Sequence, residues 1–268
     1  MGRAWVALLY RWRHGRWPDF DRPTLFTEWV QRRKLDDRDQ ALARLTDKLA
    51  GKAIAVERLG AARVIPTLWS GARLPADPPG GYPLMVKANH GCGQYRVVRD
   101  LADWRRAARA ARAWRRRPYG GLLGEWHYRG ARRLALVEPL VGDGRVPPLD
   151  YKVYVFAGRA AVVQLHLGRG TGRHRWIQFD RDWTRLSAAD GAPDPAPPVT
   201  LGEMLAAAEA MAGELDFVRV DFYEVEGGLL FGEYCLFPGS GLDPFDPRSI
   251  DERLGDAWAA ARSAKERL

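Results

Sequence analysis

Two periods of apolar residues run through the chain and divide it. In TLFTEWVQRRKL and RDQALARLTDKLAGKAIAVERLG, within residues 24–60, apolar positions recur every three to four residues, the spacing of one helix face. An acidic break at Asp36 and Asp37 separates the two runs, and Gly60 stands where a C-cap would end the second. The helical period returns in LADWRRAARAARAWRRR, with Asp100 as its N-cap, and in LGEMLAAAEAMAGEL after Thr200. Elsewhere the apolar residues gather in short β-branched and aromatic runs bounded by glycine and proline: VIPTLWSG, PLMVKA, YRVVR, RLALVEPL, YKVYVFAG, RAAVVQLHLG and WIQFDRDW. YKVYVFAG and RAAVVQLHLG predict a hairpin turning at Ala157 and Gly158. The pattern describes an α+β chain of mostly antiparallel sheets, with the Pro/Gly stretch ADPPGGYP marking a boundary near Gly80.

The last pair of strands departs from that pattern. VRVDFYEVEGGLLFGEYCLFPGSG, residues 218–241, reads as two strands around a Glu-Gly-Gly turn, with Asp221 and Glu233 inside apolar runs. Successive strand side chains alternate faces, so Val218, Val220 and Phe222 share one face while Arg219, Asp221 and Tyr223 share the other. A three-residue loop, 226–228, sets Asp221 opposite Glu233; a two-residue Gly-Gly turn shifts the pairing and sends Glu233 to the face of Phe222. The apolar pattern favours the first register, because Tyr234 and Leu236 then stack with the valines. Like charges directly opposite destabilise a sheet, so two facing acids need a cation, and hard oxygen ligands suit Mg²⁺. An exposed face whose acids pair with nearby arginines satisfies the same pattern. If a bound metal is the cation, removing either acid should leave the unliganded fold intact.

Composition narrows the partners. The 268 residues are 46% hydrophobic and 28% charged, and no apolar run approaches the roughly 18 residues that span a bilayer. The opening MGRAWVALLYRWRHGRW has a short apolar core between arginines and no small-residue cleavage site, which makes a poor signal peptide. A helix packed on the domain is the expected form, with weak contact to an anionic membrane surface as a second use of this basic N-terminus. Two cysteines, Cys92 and Cys235, make no disulfide framework, and a cytoplasmic setting is expected. The net charge of +9 points to anionic partners, but no recognisable motif frames the Trp and Arg residues for nucleic acid. Of 42 basic residues only six are lysine, at 34, 48, 52, 87, 152 and 265, so each marks a place suited to a compact ammonium. Lys87 and Lys152 fall in the most suggestive surroundings. His166, on an apolar strand, reads as a core histidine, and His127 as a surface one. Asp150 starts a strand close to Lys152, Cys92 is small enough to substitute for a loop serine, and the arginines of 105–117 form either a solvated helix face or an anion track.

MVKANHGCGQYRVV is a strand, a loop with glycines at 91 and 93, and a second strand. Such a loop can lay backbone N–H groups over phosphates with Lys87 reaching the same anion, although it does not match a P-loop and no helix follows it. In order, Lys87 with its loop, Glu138 after an apolar strand, Lys152, Asp221, and Glu233 before FPGSG resemble the ATP-grasp superfamily. TLFTEWVQRRKLDDRD, LTDKLAGKAIAVERLGAARVIPTLW, VKANHGCG, LDYKVYVFAG, QFDRDW and the final hairpin together resemble its TupA-like branch, named for teichuronopeptide biosynthesis, across roughly residues 22–255.

That resemblance implies an ATP-grasp fold: a helical N-terminal region over 1–80, a lid lobe over 81–137 and a catalytic lobe over 138–268, the lobes clasping ATP. It implies that Lys87 and Lys152 contact the phosphates, with His90, Gly91, Cys92 and Gly93 as the flap over them. Val137, Glu138 and Leu140 would form the hinge against adenine, and Asp221 and Glu233 would hold Mg²⁺. Arg169, in LGRGTGRHR, would face the transferring phosphate, making Lys152 and Arg169 the catalytic pair. The implied activity is ligation of a carboxylate to an amine, such as an amino acid and an acidic saccharide, in polysaccharide biosynthesis. A phosphotransferase or a non-catalytic nucleotide-binding protein on the same fold is the alternative; a glycosyltransferase lacks its Asp-x-Asp loop here. Many superfamily members place Asn two residues after the metal Glu, where this chain has Cys235, a poor Mg²⁺ ligand that puts a second metal in doubt.

Overall fold

A computed structural model describes residues 2–142, 148–168, 175–265 and 267. Two antiparallel sheets organise them. The smaller takes β1 (Trp69–Gly71), β2 (Leu84–Ala88), β3 (Tyr95–Val98) and β4 (Ala135–Pro139) in the spatial order β1-β4-β2-β3. The larger takes β5 (Asp150–Phe156), β6 (Arg159–Leu167), β7 (Arg175–Asp180), β8 (Phe217–Val225) and β9 (Gly228–Cys235) in the order β7-β6-β5-β8-β9. Ala157 and Gly158 both adopt positive φ, 44° and 74°, the mirror-image turn that matches the right-handed twist of a hairpin.

Seven α-helices pack around these sheets among the described residues: α1 (Arg3–His14), α2 (Phe26–Asp36), α3 (Gln40–Leu45), α4 (Lys48–Leu59), α5 (Leu101–Arg116), α6 (Leu201–Ala212) and α7 (Ser249–Lys265). Trp104 and Ala107 of α5 close the small core over Leu84, Val86, Val98 and Val137. In the large sheet the apolar side of each strand faces α6, where Met204, Ala208 and Met211 are fully buried and the Tyr234 hydroxyl donates to Met211 O at 2.9 Å. α2 and α7 cover the opposite face at its Phe217 end, with the Phe217 ring 4.9 Å from Phe26 and 4.4 Å from Trp258. Beyond that aromatic cluster the same face turns polar. α1 docks through Val6 and Tyr10, the latter hydrogen-bonded to Thr27 Oγ1 at 3.0 Å. No helix of the described residues is long and apolar enough to cross a membrane.

Two helices differ from expectation. The run 38–60 is not continuous, because the Asp47 carboxylate caps Ala50 N at 3.0 Å while binding Arg132 Nε at 3.0 Å, which ends α3 and starts α4. α7 was not foreseen; Trp258 and Leu254 bury it against the Phe217 end of the sheet.

Candidate functional site

The polar half of the large sheet's open face is built from three neighbouring strands. Lys152 on β5 pairs across to Asp221 on β8, and Asp221 pairs across to Glu233 on β9. The two acids therefore share a face, but the turn is not the one expected. Val225 pairs with Gly228 around a two-residue turn, Glu226 (φ 52°) and Gly227 (φ 75°), and a β-bulge at Gly232 supplies the odd residue that brings Glu233 back opposite Asp221.

The cation between the acids belongs to the protein. Lys152 Nζ lies 2.7 Å from both Asp150 Oδ2 and Asp221 Oδ2, and Arg219 grips Asp221 with two bonds of 2.7 Å. All four groups are buried. Burial pushes the Asp221 carboxyl up, but Arg219 and Lys152 outweigh it and hold the group well below the ordinary carboxylate range. Glu233 is paired with Lys48 from the first turn of α4. Burial and Asp221 raise its carboxyl and Lys48 lowers it, leaving it below its usual value.

A second cluster forms where α4 meets the small sheet. Glu138 on β4 is buried and receives Lys87 Nζ from β2 at 2.7 Å and Lys52 from α4. Lys48 and Lys52 are four residues apart on one side of α4, so a single helix stripe reaches Glu233 of one sheet and Glu138 of the other. The loop after β2 is fastened at the same place: Asn89 O accepts from Lys48 N, Asn89 Oδ1 from Leu49 N, and its Nδ2 donates to Arg132 O. His90 is buried with Nε2 3.1 Å from Trp114 O, so its ring anchors the loop to the end of α5. Gly91 lies against Tyr119, whose ring a Cβ would meet at 3.1 Å, and Gly93 has φ 69°. Cys92 is exposed, its thiol raised by the negative charge of Glu233. Val137 O accepts from Leu68 N at 2.8 Å, and Leu140 N donates to Pro83 O at 3.1 Å. Arg169 lies outside the described residues.

Residues 144–259 match the family model of the TupA-like ATP-grasp proteins. Two solved structures of D-alanine–D-alanine ligase from Bacillus anthracis share the architecture. One, complexed with ATP, aligns with a TM-score of 0.53 and 14% identity over 84% of this chain and 68% of that one. The other aligns with a TM-score of 0.51 and 18% identity over 84% and 70%. The chain has the ATP-grasp fold. At these identities the structural likeness is one of fold, and no curated protein matches the sequence.

In this ATP-grasp chain the donor set can be tested for Mg²⁺. Among the described residues no group of three or more His, Cys, Asp or Glu converges as a metal cage. Mg²⁺ commonly takes one or two carboxylates and completes its shell with phosphate oxygens and water, which Asp221 and Glu233 on one face can satisfy. Among the described residues Asp221 Oδ1 has Arg219 as its one partner and keeps a lone pair, and Glu233 uses one oxygen on Lys48. Cys235 is directly across from Arg219, and burial pushes its thiol up to about 12, so it stays protonated and adds no hard ligand.

Sequence reasoning missed Lys48, Lys52 and Arg219. The two lysines had a signal, a four-residue spacing in a lysine-poor chain, while Arg219 was one arginine among many. Both histidine expectations are corrected. His166 is on the open polar face, paired across to Asp150, within 2.8 Å of Gln164 Nε2 and stacked on Trp176. His127 is fully buried between Trp126 and Phe237, and burial with Arg33 and Arg38 nearby lowers it to about 3.

Proposed function

We propose that this protein is a Mg²⁺-ATP-dependent carboxylate–amine ligase acting through an acyl phosphate, with an amino acid and an acidic saccharide as substrate classes, in cell-surface polysaccharide synthesis. The observation that carries the reading is the convergence of five cations, Lys48, Lys52, Lys87, Lys152 and Arg219, on four carboxylates where α4 joins the two sheets. Phosphoryl transfer needs positioned charge more than covalent chemistry. Residues 81–137 act as the lid lobe and 138–268 as the catalytic lobe, with α4 from the N-terminal region between them. Lys87 and Lys152 contact the phosphates, under a flap of His90, Gly91, Cys92 and Gly93, and Val137, Glu138 and Leu140 border the adenine. Arg169 is assigned with Lys152 to the transferring phosphate. Asp221 and Glu233 would hold Mg²⁺, which when bound supplies positive charge to offset that of the phosphates. A carboxylate oxygen attacks the γ-phosphorus as ADP leaves; an amine then attacks the acyl carbon, expelling inorganic phosphate and losing a proton to give the amide. The test is calorimetry of Mg-ATP on Lys87→Ala and Lys152→Ala, then phosphate release with candidate acids and amines and mass spectrometry of the product. Wild-type nucleotide affinity in both variants overturns the assignment.

We further propose that α1 gives the protein a peripheral contact with the inner face of the membrane. Trp5, Leu8 and Trp12 are exposed within a helix stripe of about 60°, with Arg11 and Arg13 on either side of it. An apolar stripe flanked by arginine suits an anionic bilayer surface. Cosedimentation with anionic but not zwitterionic vesicles, lost in Trp12→Ala, is the expected result; equal recovery with both vesicles sinks the idea.

A further inference from the structure

A cavity of about 420 Å³ is lined by residues of the N-terminal region, within 6–40, and of the segment 120–130, and it shares no residue with the proposed nucleotide site. Its volume is that of a small-molecule pocket. Its lining carries three cations, Lys34 near the end of α2, Arg38 just beyond it and Arg129, and no carboxylate. Glu125 is next to the cavity in sequence but is buried and turned toward Ser240 and Lys34.

The three cations differ in availability. Lys34 is spent internally, its Nζ donating to Ser240 O at 2.6 Å, Ser240 Oγ at 2.7 Å and Gln31 Oε1 at 3.1 Å, which fixes the floor to the turn after β9. Arg38 and Arg129 are exposed and form no ion pair among the described residues. Arg38 is placed rather than loose: its guanidinium lies 5.3 Å over the Trp126 ring, another lining residue, and donates to Asp37 O at 2.6 Å. Gly120 and Gly121 also line it, and their backbone N–H groups donate to no acceptor among the described residues. Gly120 has φ 73°, and a Cβ there would meet Glu125 O at 2.9 Å, so that position requires glycine. Unpaired backbone donors and guanidiniums lining one small-molecule volume have one chemical complement, an oxyanion.

We propose that this cavity binds a small polar molecule bearing a carboxylate or phosphate group, held by Arg38, Arg129 and the backbone N–H groups of Gly120 and Gly121. Tyr119 joins the cavity to the proposed active centre, since it precedes Gly120 and abuts Gly91 of the flap loop. Resting on the ligase reading in this one respect, the cavity is then the docking place of the acid that receives the phosphate. Binding itself needs no nucleotide.

The test is titration calorimetry of the full chain without nucleotide, using gluconate, glucose 6-phosphate and glucose as probes. Saturable one-site binding of either anion and none of glucose is expected, and the anion that binds names the oxyanion. Arg38→Gln and Arg129→Gln should each weaken binding about tenfold or more, with little change in melting temperature because both side chains are exposed. Absence of binding by both anions, equal binding of glucose, or unchanged affinity in both variants overturns the proposal. Mg-ATP titrated separately into the same variants separates a failure here from a failure of the nucleotide site.

Discussion

Asp221 and Glu138 are both buried carboxylates gripped by two cations, yet the grips are built differently. Asp221 takes both partners from its own sheet: Arg219 two residues earlier on β8 and Lys152 directly across on β5. Glu138 takes Lys87 from the adjoining strand of the small sheet and Lys52 from α4, which belongs to neither sheet. The side chains of Lys152 and Arg219 are 4% and 9% exposed, those of Lys52 and Lys87 11% and 21%. One cluster is therefore an inner part of a rigid platform, while the other is a wetter latch joining three elements. If a nucleotide binds as proposed, it competes for the lysines of the latch at lower cost than for the cations of the platform.

The largest effect follows from the platform. Asp221→Asn leaves the buried Arg219 without its bidentate partner and Lys152 with Asp150 alone, so urea unfolding should show a loss of about 3–5 kcal/mol. This reverses the expectation from sequence, in which two facing acids lacked a cation and either could be removed freely. An unchanged midpoint would mean that Asp221 is not structurally committed, and the distinction from Glu138 would vanish.

For the latch the informative experiment is a double-mutant cycle. Lys52→Met or Lys87→Met leaves Glu138 with one lysine and should cost about 1–2 kcal/mol, whereas the double variant buries an unpaired charge and should cost clearly more than the sum. Strict additivity would show that the lysines do not share Glu138.

How much of this was legible beforehand depends on the range of the signal. The hairpin at Ala157 and Gly158 is local turn chemistry and was readable. So was the common face of Asp221 and Glu233, because alternation of the flanking apolar residues reports burial. The route to that register was not readable: a two-residue turn and a bulge shift the pairing as one longer loop would. A Cβ at Gly232 would meet Asp221 O at 3.0 Å and the Tyr223 ring at 3.2 Å, a constraint visible only in three dimensions. The break before α4 was hidden because Asp47 reads as an ordinary helical residue until Arg132, far along the chain, is beside it. Lys48 and Lys52 escaped for the same reason, since a helix stripe does not announce which sheets it faces.

Acid titration separates the carboxylates from a third buried group. Asp221 and Glu138 are both held below their ordinary values, so their contribution is complete above the unfolded pKa near 4 and is lost as pH falls through the folded values. His127, lowered from 6.5 to about 3, acts earlier: the unfolded chain takes up the proton and the folded one does not, so stability falls as pH drops from 6.5 toward 3. The slope from this one group approaches about 1.4 kcal/mol per pH unit. Unfolding measured between pH 7 and 3 should therefore decline from about 6.5 in the wild type, and His127→Phe should flatten the upper part while leaving the carboxylate portion. A flat wild-type profile down to pH 5 would count against a buried neutral His127.

The smallest stability effect is expected at Glu233, and there it is the contrast with Asp221 that matters. Glu233 is across the strand pair from Asp221, but its side chain is 30% exposed and that of its partner Lys48 17%. Solvent screens such a pair, so Glu233→Gln should change stability by about 0–1 kcal/mol. On the ligase reading its other oxygen serves the metal, so the extra thermal stabilisation given by Mg-ATP should be reduced or lost in this variant. Lys48→Met provides the counter-test, because it frees the second oxygen of Glu233 without removing the carboxylate, and it should keep or increase the Mg²⁺ dependence of that shift. If Glu233→Gln instead destabilises the unliganded protein as much as Asp221→Asn and leaves the Mg-ATP shift intact, the two acids play one structural part. The division between an acid that also holds the platform together and one available to the metal alone would then be wrong.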